Sequence, residues 1–480
     1  MKLKSVLAAL AAGGLVAACG ATPPPKASPA TPPKAAVEPA ARGPVTPAAY
    51  ASTYRPLPGV TTLLRGATVL TGTGQRLDNA DVLMQDGKIA AVGPGLAAPA
   101  GANVLDATGK WITPGIIDSH SHLGVYPSPG VRSLSDGNEA TAPNTAQVWA
   151  EHSVWPQDPG FGAALAGGVT SLMVLPGSAN LFGGRTVVLK NVAGRTVQDM
   201  KFPGAPNGLK IACGENPKRV YGEGRRILPS TRMGNMAGFR AAFIEGRKYR
   251  DDLANYERDR QTKPDAKPPT RNLQNETLAA VMNGEVIVHN HCYRADEMVQ
   301  MLDLAKEFGF RIGTFHHAVE AYKIADILAR EGTCAALWAD WWGFKMESFD
   351  GIRENIAMVD AAGACAIVHS DSEVGIQHLN QEASKAMAAG QRMGLKITPE
   401  HAITWLTRNP AKAIGVGERT GTLEAGKMAD VVVWSGNPFS VYALAEKVYI
   451  DGGLAFDRAD PARRPITDFA LGMTPAGGAR

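Results

Sequence analysis

Short runs of alternating apolar and polar residues occupy both ends of the chain. They lie at 61–70, 80–85, 88–92, 429–434 and 447–453. Such alternation, interrupted by turn residues such as Gln85-Asp86-Gly87, is typical of strands in antiparallel sheets. Because half-sheets at opposite ends of a chain can complete one another, residues 59–110 and 413–458 are predicted to form one small β-sandwich domain.

Between these ends lie eight apolar runs, each short enough to form a strand that is buried on both faces. They lie at 111–122, 168–177, 185–190, 208–216, 284–292, 310–318, 333–341 and 364–372. Segments with apolar residues at helical spacing, such as Met298, Met301 and Ala305, separate most of them. Eight alternating strand and helix units predict an α/β fold with a (β/α)8 TIM barrel over residues 111–412.

A long polar stretch rich in arginine interrupts the predicted barrel at 217–283 and is predicted to be helical. It has two possible places. It lies over the mouth of the barrel, where long loops shape substrate sites, or it decorates the periphery. Residues 459–480 are predicted to form a C-terminal tail.

The first residues have the features of an export signal. Lys2 and Lys4 precede an apolar stretch that is too short to span a bilayer comfortably. Val16-Ala17-Ala18-Cys19 then resembles a bacterial lipobox. Residues 1–19 are therefore interpreted as a lipoprotein signal peptide with Cys19 as the lipidation site, and an ordinary cleavable signal is the alternative. Gly20 favours anchoring at the outer membrane, on its periplasmic face.

Proline and alanine dominate the segment that follows. Residues 22–58 contain 11 of the 33 prolines of the chain and lack apolar periodicity. This composition favours extended, solvated backbone over a packed core. Residues 20–58 are therefore predicted to be a disordered tether that holds the folded part away from the membrane.

The charge pattern argues against nucleic acid as a partner. The formal net charge is +4, and the 20% of residues that are charged form no basic run. A small-molecule substrate is expected instead. A homo-oligomer is compatible with the sequence.

Four cysteines lie inside or at the end of apolar runs: Cys213, Cys292, Cys334 and Cys365. Buried free thiols are the favoured interpretation, because their spacing matches no known disulfide framework. Oxidation to disulfides in an exported protein is the alternative.

Histidine provides the strongest chemical signal. Seven of the ten histidines lie at the carboxyl ends of predicted barrel strands. They are His120, His122, His289, His291, His316, His317 and His369. Because the active sites of TIM barrels are built at that end of the strands, these imidazoles are predicted to converge on one site.

The first and last predicted strands supply the clearest ligands. His120 and His122 are two residues apart, so in a strand both face the same side and can bind one metal. Asp371 follows the last strand directly. It is predicted to bind metal and to transfer a proton.

Two further ligands are chosen from neighbouring pairs. On the fifth strand His291 is preferred over His289, because the later residue lies closer to the mouth. On the sixth strand His317 is preferred over His316, because consecutive residues of a strand point to opposite faces and only one can reach the interior.

Together these motifs resemble the amidohydrolase superfamily, particularly its imidazolonepropionase-like and dipeptidase-like hydrolases. The resemblance extends from residue 59 to about residue 458 and includes the stretch 421–430, which is similar to the family's return into the sandwich. It implies a metal-dependent hydrolase that acts on an amide, cyclic amide or dipeptide-like carbon–nitrogen bond.

The resemblance also implies a carboxylate that bridges two metals, often a carbamylated lysine on the fourth strand. Glu215, at the end of that strand, is the preferred candidate, and Lys210 and Lys190 are alternatives. Two zinc ions are expected with a bridge. A single metal, or manganese, iron or cobalt, would also suit imidazole and carboxylate ligands.

The mechanism implied is attack by a metal-activated water, whose proton Asp371 passes to the departing nitrogen. Side chains near predicted loop ends are candidate anchors for a substrate carboxylate: Arg185, Lys218, Arg219, Tyr322 and Lys345. Trp338, Trp341 and Trp342 are candidates for pocket lining or for core packing. A deaminase of the same superfamily and a non-catalytic binding lipoprotein are the alternative functions.

Overall fold

The computed structural model of the protein describes residues 50–128 and 130–463. The predicted signal peptide with Cys19, the tether as far as residue 49 and the tail beyond residue 463 lie outside the described residues. The lipid anchor therefore stays a prediction. Within the described ranges, no helix is long and apolar enough to cross a membrane.

Strands and helices alternate through the described part of the chain. The strands are β1 (Thr62–Leu70), β2 (Arg76–Gln85), β3 (Lys88–Gly93), β4 (Asn103–Asp106), β5 (Trp111–Pro114), β6 (Ile116–Ser121), β7 (Val169–Val174), β8 (Phe182–Arg185), β9 (Val187–Lys190), β10 (Gly208–Ala212), β11 (Ile287–Cys292), β12 (Ile312–His317), β13 (Cys334–Leu337), β14 (Cys365–Val368), β15 (Val431–Trp434), β16 (Ala445–Ile450) and β17 (Gly453–Asp457). The α-helices are α1 (Pro159–Ala166), α2 (Val197–Met200), α3 (Glu215–Lys218), α4 (Arg232–Asp259), α5 (Leu273–Met282), α6 (Ala295–Phe308), α7 (Ala325–Glu331), α8 (Asn355–Ala361), α9 (Leu379–Arg392), α10 (Pro399–Ala402) and α11 (Arg408–Ala413).

Strands from the two predicted sandwich segments lie in one sheet. Hydrogen bonds order it β17-β16-β15-β5-β1-β2-β3, with β4 beside β1. The two segments meet where β15 pairs antiparallel with β5 and places Trp434 opposite Trp111. This sheet has its own apolar core, which includes Leu64, Val82 and Val431. Its division into two layers, as in a sandwich, stays a prediction.

Gly115 divides the first predicted barrel strand into two. Its N–H donates to Asp430 O at 2.8 Å, so β5 belongs to the terminal sheet and β6 begins another sheet beside β7. A β-carbon at position 115 would lie 2.0 Å from Thr170 Oγ1. Only glycine allows the backbone to pass this close.

Five of the predicted barrel strands form a parallel array. Strands β10 to β14 pair in chain order, each parallel to the next, and β6 pairs parallel with β7. Helices such as α6, α7 and α8 connect successive strands. Parallel strands joined by helices define a mixed α/β fold.

The prediction of a third parallel strand at 185–190 is wrong. The chain forms two short strands there, and β9 runs antiparallel to β7 while β8 runs antiparallel to β10. An apolar run indicates burial but does not specify strand direction. On the other side of the array, the Asp371 N–H donates to His120 O at 3.1 Å and links the end of β14 to β6. Closure of the whole array into a barrel stays a prediction.

The predicted insertion 217–283 is largely helical and packs along the side of the parallel array. Phe243 of α4 is buried and stacks on Phe310 with ring centroids 4.6 Å apart. The start of α4 lies near the carboxyl ends of the strands, where Arg232 pairs with Glu297 and Glu347 at 2.8 and 2.9 Å. Whether the insertion covers the mouth or decorates the periphery stays a prediction.

The four cysteines form two disulfides, Cys213–Cys292 and Cys334–Cys365. The interpretation as free thiols is therefore wrong. Cys334 and Cys365 are aligned neighbours on β13 and β14. Their wide separation in sequence gave no indication of this pairing. Both bonds join adjacent parallel strands, one at the carboxyl ends of β10 and β11 and the other at the amino ends of β13 and β14.

The last part of the predicted tether is held by the folded body. The Thr53 N–H donates to Gln198 O at 3.0 Å, and the hydroxyl of Tyr54 donates to Asp451. Hydrogen bonds thus attach the segment that contains Thr53 and Tyr54 to the folded body. The prediction that the free tether extends to residue 58 is therefore wrong.

Lys190 lies in a buried ion-pair network that joins β9 to the terminal sheet. Its Nζ lies 2.9 Å from both carboxylate oxygens of Asp430 and 3.2 Å from Asp451 Oδ1. All three side chains are buried. The ammonium group is therefore engaged by these two carboxylates and does not reach the histidine group as a bridging ligand.

Replacement of Lys190 by Met should lower the free energy of unfolding by about 3–5 kcal/mol, because it leaves two buried carboxylates without their cation. Urea unfolding measures the change. Lys306→Met is the matched control. Its ion pair with Glu331 at 2.8 Å is solvent-exposed on the lysine side, and loss of such a pair costs less than about 1 kcal/mol. Equal changes in the two variants would contradict the structural role of the buried network.

Candidate metal centre

Three donor atoms at the ends of β6 and β14 form a compact triangle. His120 Nε2 lies 3.4 Å from His122 Nε2, and Asp371 Oδ1 lies 3.3 and 3.1 Å from these two nitrogens. Ligands about 2.1 Å from a tetrahedral zinc ion are separated by roughly 3.4 Å. The three donors are therefore spaced to bind one divalent cation.

Hydrogen bonds fix the orientation of this triangle. His122 Nδ1 lies 2.8 Å from Leu175 O, so Nδ1 carries the proton and Nε2 keeps its lone pair for a metal. Asp118, two residues before His120, accepts hydrogen bonds from the N–H groups of His120 at 3.0 Å and Ser370 at 3.3 Å. This buried carboxylate thereby holds the ends of β6 and β14 together.

The backbone is strained where two candidate ligands leave their strands. Asp371 has φ +51°, His317 has φ +70° and Ala318 has φ +34°. Residues other than glycine rarely adopt this left-handed region, at a cost of about 1–3 kcal/mol each. Such strain is concentrated at functional sites, and here it occurs at the carboxyl ends of the strands.

A second group of donors lies beside the first. Nitrogen atoms of His120, His317 and His369 lie within 4.8 Å of one another, with His369 Nε2 3.0 Å from His317 Nδ1. Asp371 Oδ2 lies 3.8 Å from His317 Nδ1, so the two oxygens of this carboxylate face the two groups. His369 is one of the seven histidines predicted to lie at strand ends, but no spacing in the sequence identifies it as a ligand.

Both histidines of the sixth predicted strand face the interior, so the prediction that only one could do so is wrong. His316 Nδ1 lies 2.9 Å from His120 Nδ1, and His316 Nε2 lies 3.0 Å from His289 Nδ1. The chain leaves extended geometry at His317, and strict alternation of faces ends there. His289 and His316 therefore form a buried pair beneath the donor triangle.

His291 lies next to the second group without joining either set of close donors among the described residues. Its ring centroid is 4.7 Å from that of His317. Its Nδ1 lies 2.8 Å from Ser178 Oγ, and its Nε2 lies 3.5 Å from Asn216 Nδ2. Its assignment as a ligand stays a prediction.

The two remaining bridging candidates have different surroundings. Lys210 is fully buried, its Nζ donates to Pro176 O at 3.0 Å, and burial lowers its pKa to about 7. No carboxylate within the described residues lies in ion-pair distance of it. The carboxylate of Glu215, in contrast, lies 3.7 Å from Lys345 Nζ. Glu215 is absent from both donor groups, whereas the charge of Lys210 acts on His120.

Burial sets the charge state of the site. It lowers the pKa of His120 and His317 well below the usual range and that of His369 to about 4. Burial also favours protonation of Asp371, but the nearby imidazoles of His317 and His122 outweigh it and lower the pKa of this carboxyl. At neutral pH His120, His317 and His369 are therefore neutral and Asp371 carries a negative charge, a combination of donors that suits a divalent cation.

One of the predicted substrate anchors lies next to the centre. Lys345 Nζ lies 3.1 Å from Asn216 Oδ1, and the amide nitrogen of Asn216 approaches His291. The other four have different surroundings. Arg185 is buried against Thr277 and Trp149, and the hydroxyl of Tyr322 donates to Asp350 O. Lys218 lines a neighbouring cavity, and Arg219 is exposed.

Tyr293 and Trp338 enclose the second donor group. The ring of Trp338 stacks on His317 with centroids 4.4 Å apart, and Tyr293 stacks on His317 at 5.5 Å. Sequence spacing leaves Trp338 undecided between pocket and core and does not identify Tyr293. Contacts of this kind depend on loop positions, which sequence spacing does not give.

The Cys213–Cys292 disulfide should support metal binding, because Cys213 lies two residues before Glu215 and Cys292 directly follows His291. Replacing either cystine by two serines, Cys213→Ser with Cys292→Ser or Cys334→Ser with Cys365→Ser, should lower the free energy of unfolding by about 3–5 kcal/mol. Only the first pair should also raise the Kd for metal, by about tenfold. Urea unfolding and competition with a chelating dye measure the two effects. Equal metal affinities would refute this role.

Known proteins resemble this chain over most of its length. A model described as Amidohydrolase family matches residues 355–456. The amidohydrolase tasK of Hapsidospora irregularis is 35% identical over 434 residues, which is 83% of this chain and 43% of that protein. The match thus spans less than half of tasK. An imidazolonepropionase of Chromobacterium violaceum is 26% identical over 389 residues, 75% of this chain and 86% of the relative.

A solved structure shows the same likeness over its full length. The crystal structure of an amidohydrolase from Thermotoga maritima MSB8 superposes with a TM-score of 0.75 and 37% sequence identity. The alignment covers 83% of this chain and 100% of that one. The mixed α/β fold described above is therefore shared with it.

Proposed function

The chain belongs to the amidohydrolase family and is a hydrolase that acts on carbon–nitrogen bonds, and we propose that it uses bound metal to cleave an amide, cyclic amide or dipeptide-like bond of a small molecule. The observation that carries the proposal is the triangle of His120, His122 and Asp371, whose donor atoms lie 3.1–3.4 Å apart. A divalent cation placed between these three atoms would be within coordination distance of each.

The donor set suits one or two divalent ions. His120, His122 and Asp371 would hold the first, and His317 with His369 or His291 would hold the second, with Lys210 as carbamate or Glu215 between them. Zinc is proposed because imidazole and carboxylate suit it, and manganese, iron and cobalt accept the same donors. A bound cation would activate a water molecule for attack and polarise the substrate carbonyl.

Asp371 is the proposed proton carrier. Its pKa is lowered by the surrounding imidazoles, so it is ionised at neutral pH and can accept the proton of the attacking water. Its second oxygen, Oδ2, lies 3.8 Å from His317 Nδ1, so the carboxylate lies between the two donor groups, from where it would pass the proton to the departing nitrogen. Asp118 keeps this carboxylate in place through Ser370, while Trp338 and Tyr293 restrict water at the second donor group.

We also propose that β6 to β14 close into a barrel and that the protein is exported as a lipoprotein. The bond from the Asp371 N–H to His120 O supports closure between β14 and β6, and so does the superposition with the Thermotoga structure. Two disulfides support an oxidising compartment, because such bonds are rare in the cytosol. The lipobox at Cys19 supports attachment at the periplasmic face of the outer membrane.

The test is metal analysis combined with a substrate screen on the full chain. Dipeptides, cyclic imides and lactams are assayed with protein of known metal content, before and after chelation. We expect one of these classes to be cleaved, activity to disappear with the metal and zinc to restore it. Release of ammonia from a ring with a single metal per chain would instead identify a deaminase. Metal-loaded protein that cleaves none of them would overturn the proposal.

A further inference from the structure

A continuous strip of aromatic rings leads from the candidate metal centre to the solvent. We define the aromatic strip as Tyr293, Trp338, Trp341 and Phe344. Trp338 lies at its inner end, parallel to His369 with centroids 5.2 Å apart. Trp341 and Phe344 continue it outward, at 5.7 and 5.8 Å from Trp338. These distances are typical of rings in contact.

Exposure increases along the strip. Trp338 is 8% exposed, whereas Trp341 is 42% and Phe344 is 59% exposed. Met346 and Phe349 follow on the same loop and are also exposed. Scattered exposed apolar residues are common, but several large ones together on one loop beside an active site mark a binding surface.

The loop that carries the strip is held in place from below. The indole Nε1 of Trp338 donates to Ser370 O at 3.1 Å. Glu347, three residues beyond Phe344, is buried, pairs with Arg232 and accepts a hydrogen bond from the Glu215 N–H at 2.8 Å. The exposed rings therefore lie on an anchored segment. A ligand that binds to them causes little further loss of conformational entropy in this loop.

We propose that the aromatic strip is a specificity subsite that binds an aryl or other bulky apolar group of the substrate, next to the bond that is cleaved. The inference rests on the proposed hydrolase function and narrows its substrate class. Its occupant is part of the substrate because the strip is continuous with the donor groups: one end stacks on His317 and His369, and the other reaches solvent. An apolar group placed there would lie beside His317 and His369, on which Trp338 stacks.

Paired substrates and paired variants test the subsite. Two dipeptides or N-acyl amino acids that differ only in a phenylalanine or an alanine beside the scissile bond are compared by kcat/KM. The wild-type enzyme should favour the aryl member by about tenfold or more. Phe344→Ala and Trp341→Ala should reduce this ratio about tenfold. Tyr442→Ala, which removes an exposed ring outside the strip, should preserve it.

A binding measurement separates this inference from the catalytic proposal. Phenylpropionate and propionate are titrated against the metal-loaded protein, with indole fluorescence as the readout, which needs no turnover. Tighter binding of phenylpropionate, weakened in Phe344→Ala, would support the subsite even without hydrolysis. Hydrolysis with no aryl preference, or with a preference unchanged in both variants, would refute it. A change of oligomeric state in the variants would assign the strip to contact between two copies of the chain and would also refute it.

Discussion

Asp371→Asn should lower kcat/KM by about 1,000-fold while the fold is retained. The amide removes the negative charge that accepts the proton and weakens one corner of the donor triangle. It preserves the size of the side chain. Asparagine also tolerates the left-handed backbone that position 371 requires, at φ +51°, because its short polar side chain can bond locally. The loss should therefore reflect chemistry more than folding.

Two other variants serve as comparisons for this result. Asp340→Asn makes the same change at a partly exposed carboxylate that pairs with Lys385, and it should leave turnover unchanged. His122→Ala removes a whole ligand and should lose both metal and activity. Steady-state kinetics, metal analysis and circular dichroism distinguish the cases. If Asp371→Asn keeps full turnover, Asp371 has no part in the mechanism.

Positions that the local chain geometry determines were predictable from sequence. The strand–helix alternation placed β10 to β14 correctly, because buried strands and amphipathic helices have different apolar periods. The positions of His120 and His122 were predictable because alternate residues of a strand share a face. His120, His122 and Asp371 meet in the structure because each lies at the carboxyl end of its strand.

Features that depend on where strands turn or pair were not predictable. The turns around β8 and β9 set the direction of these strands, and the apolar run at 185–190 does not indicate that direction. His316 shares the face of its aligned neighbour His291, whereas the inward position of His317 depends on its own left-handed backbone, with φ +70°. Cys334 and Cys365 lie 31 residues apart and are neighbours only because β13 and β14 pair in this register.

Burial distinguishes the two candidate bridging residues, and the sequence did not reveal it for Lys210. Strand ends carry ligands, so Glu215 was the reasonable choice from position alone. In the structure Lys345 and Glu347 surround Glu215, whereas Lys210 is buried without a carboxylate partner among the described residues. A lysine whose pKa is lowered to about 7 is largely neutral in mildly alkaline solution. The neutral amine is the form that adds carbon dioxide, with release of a proton, to give a carbamate.

Lys210→Met should therefore remove one of two bound metals per chain and lower kcat by about 100-fold, because loss of a second cation removes several kcal/mol of charge stabilisation. Glu215→Gln, just beyond the same strand at the start of α3, is the matched variant and should keep both metals. Metal content is measured by mass spectrometry after reconstitution with and without bicarbonate, and 13C-bicarbonate gives a carbamate resonance only when Lys210 is present. The opposite pattern, with metal lost in Glu215→Gln and retained in Lys210→Met, would make Glu215 the bridge and Lys210 a buried structural residue.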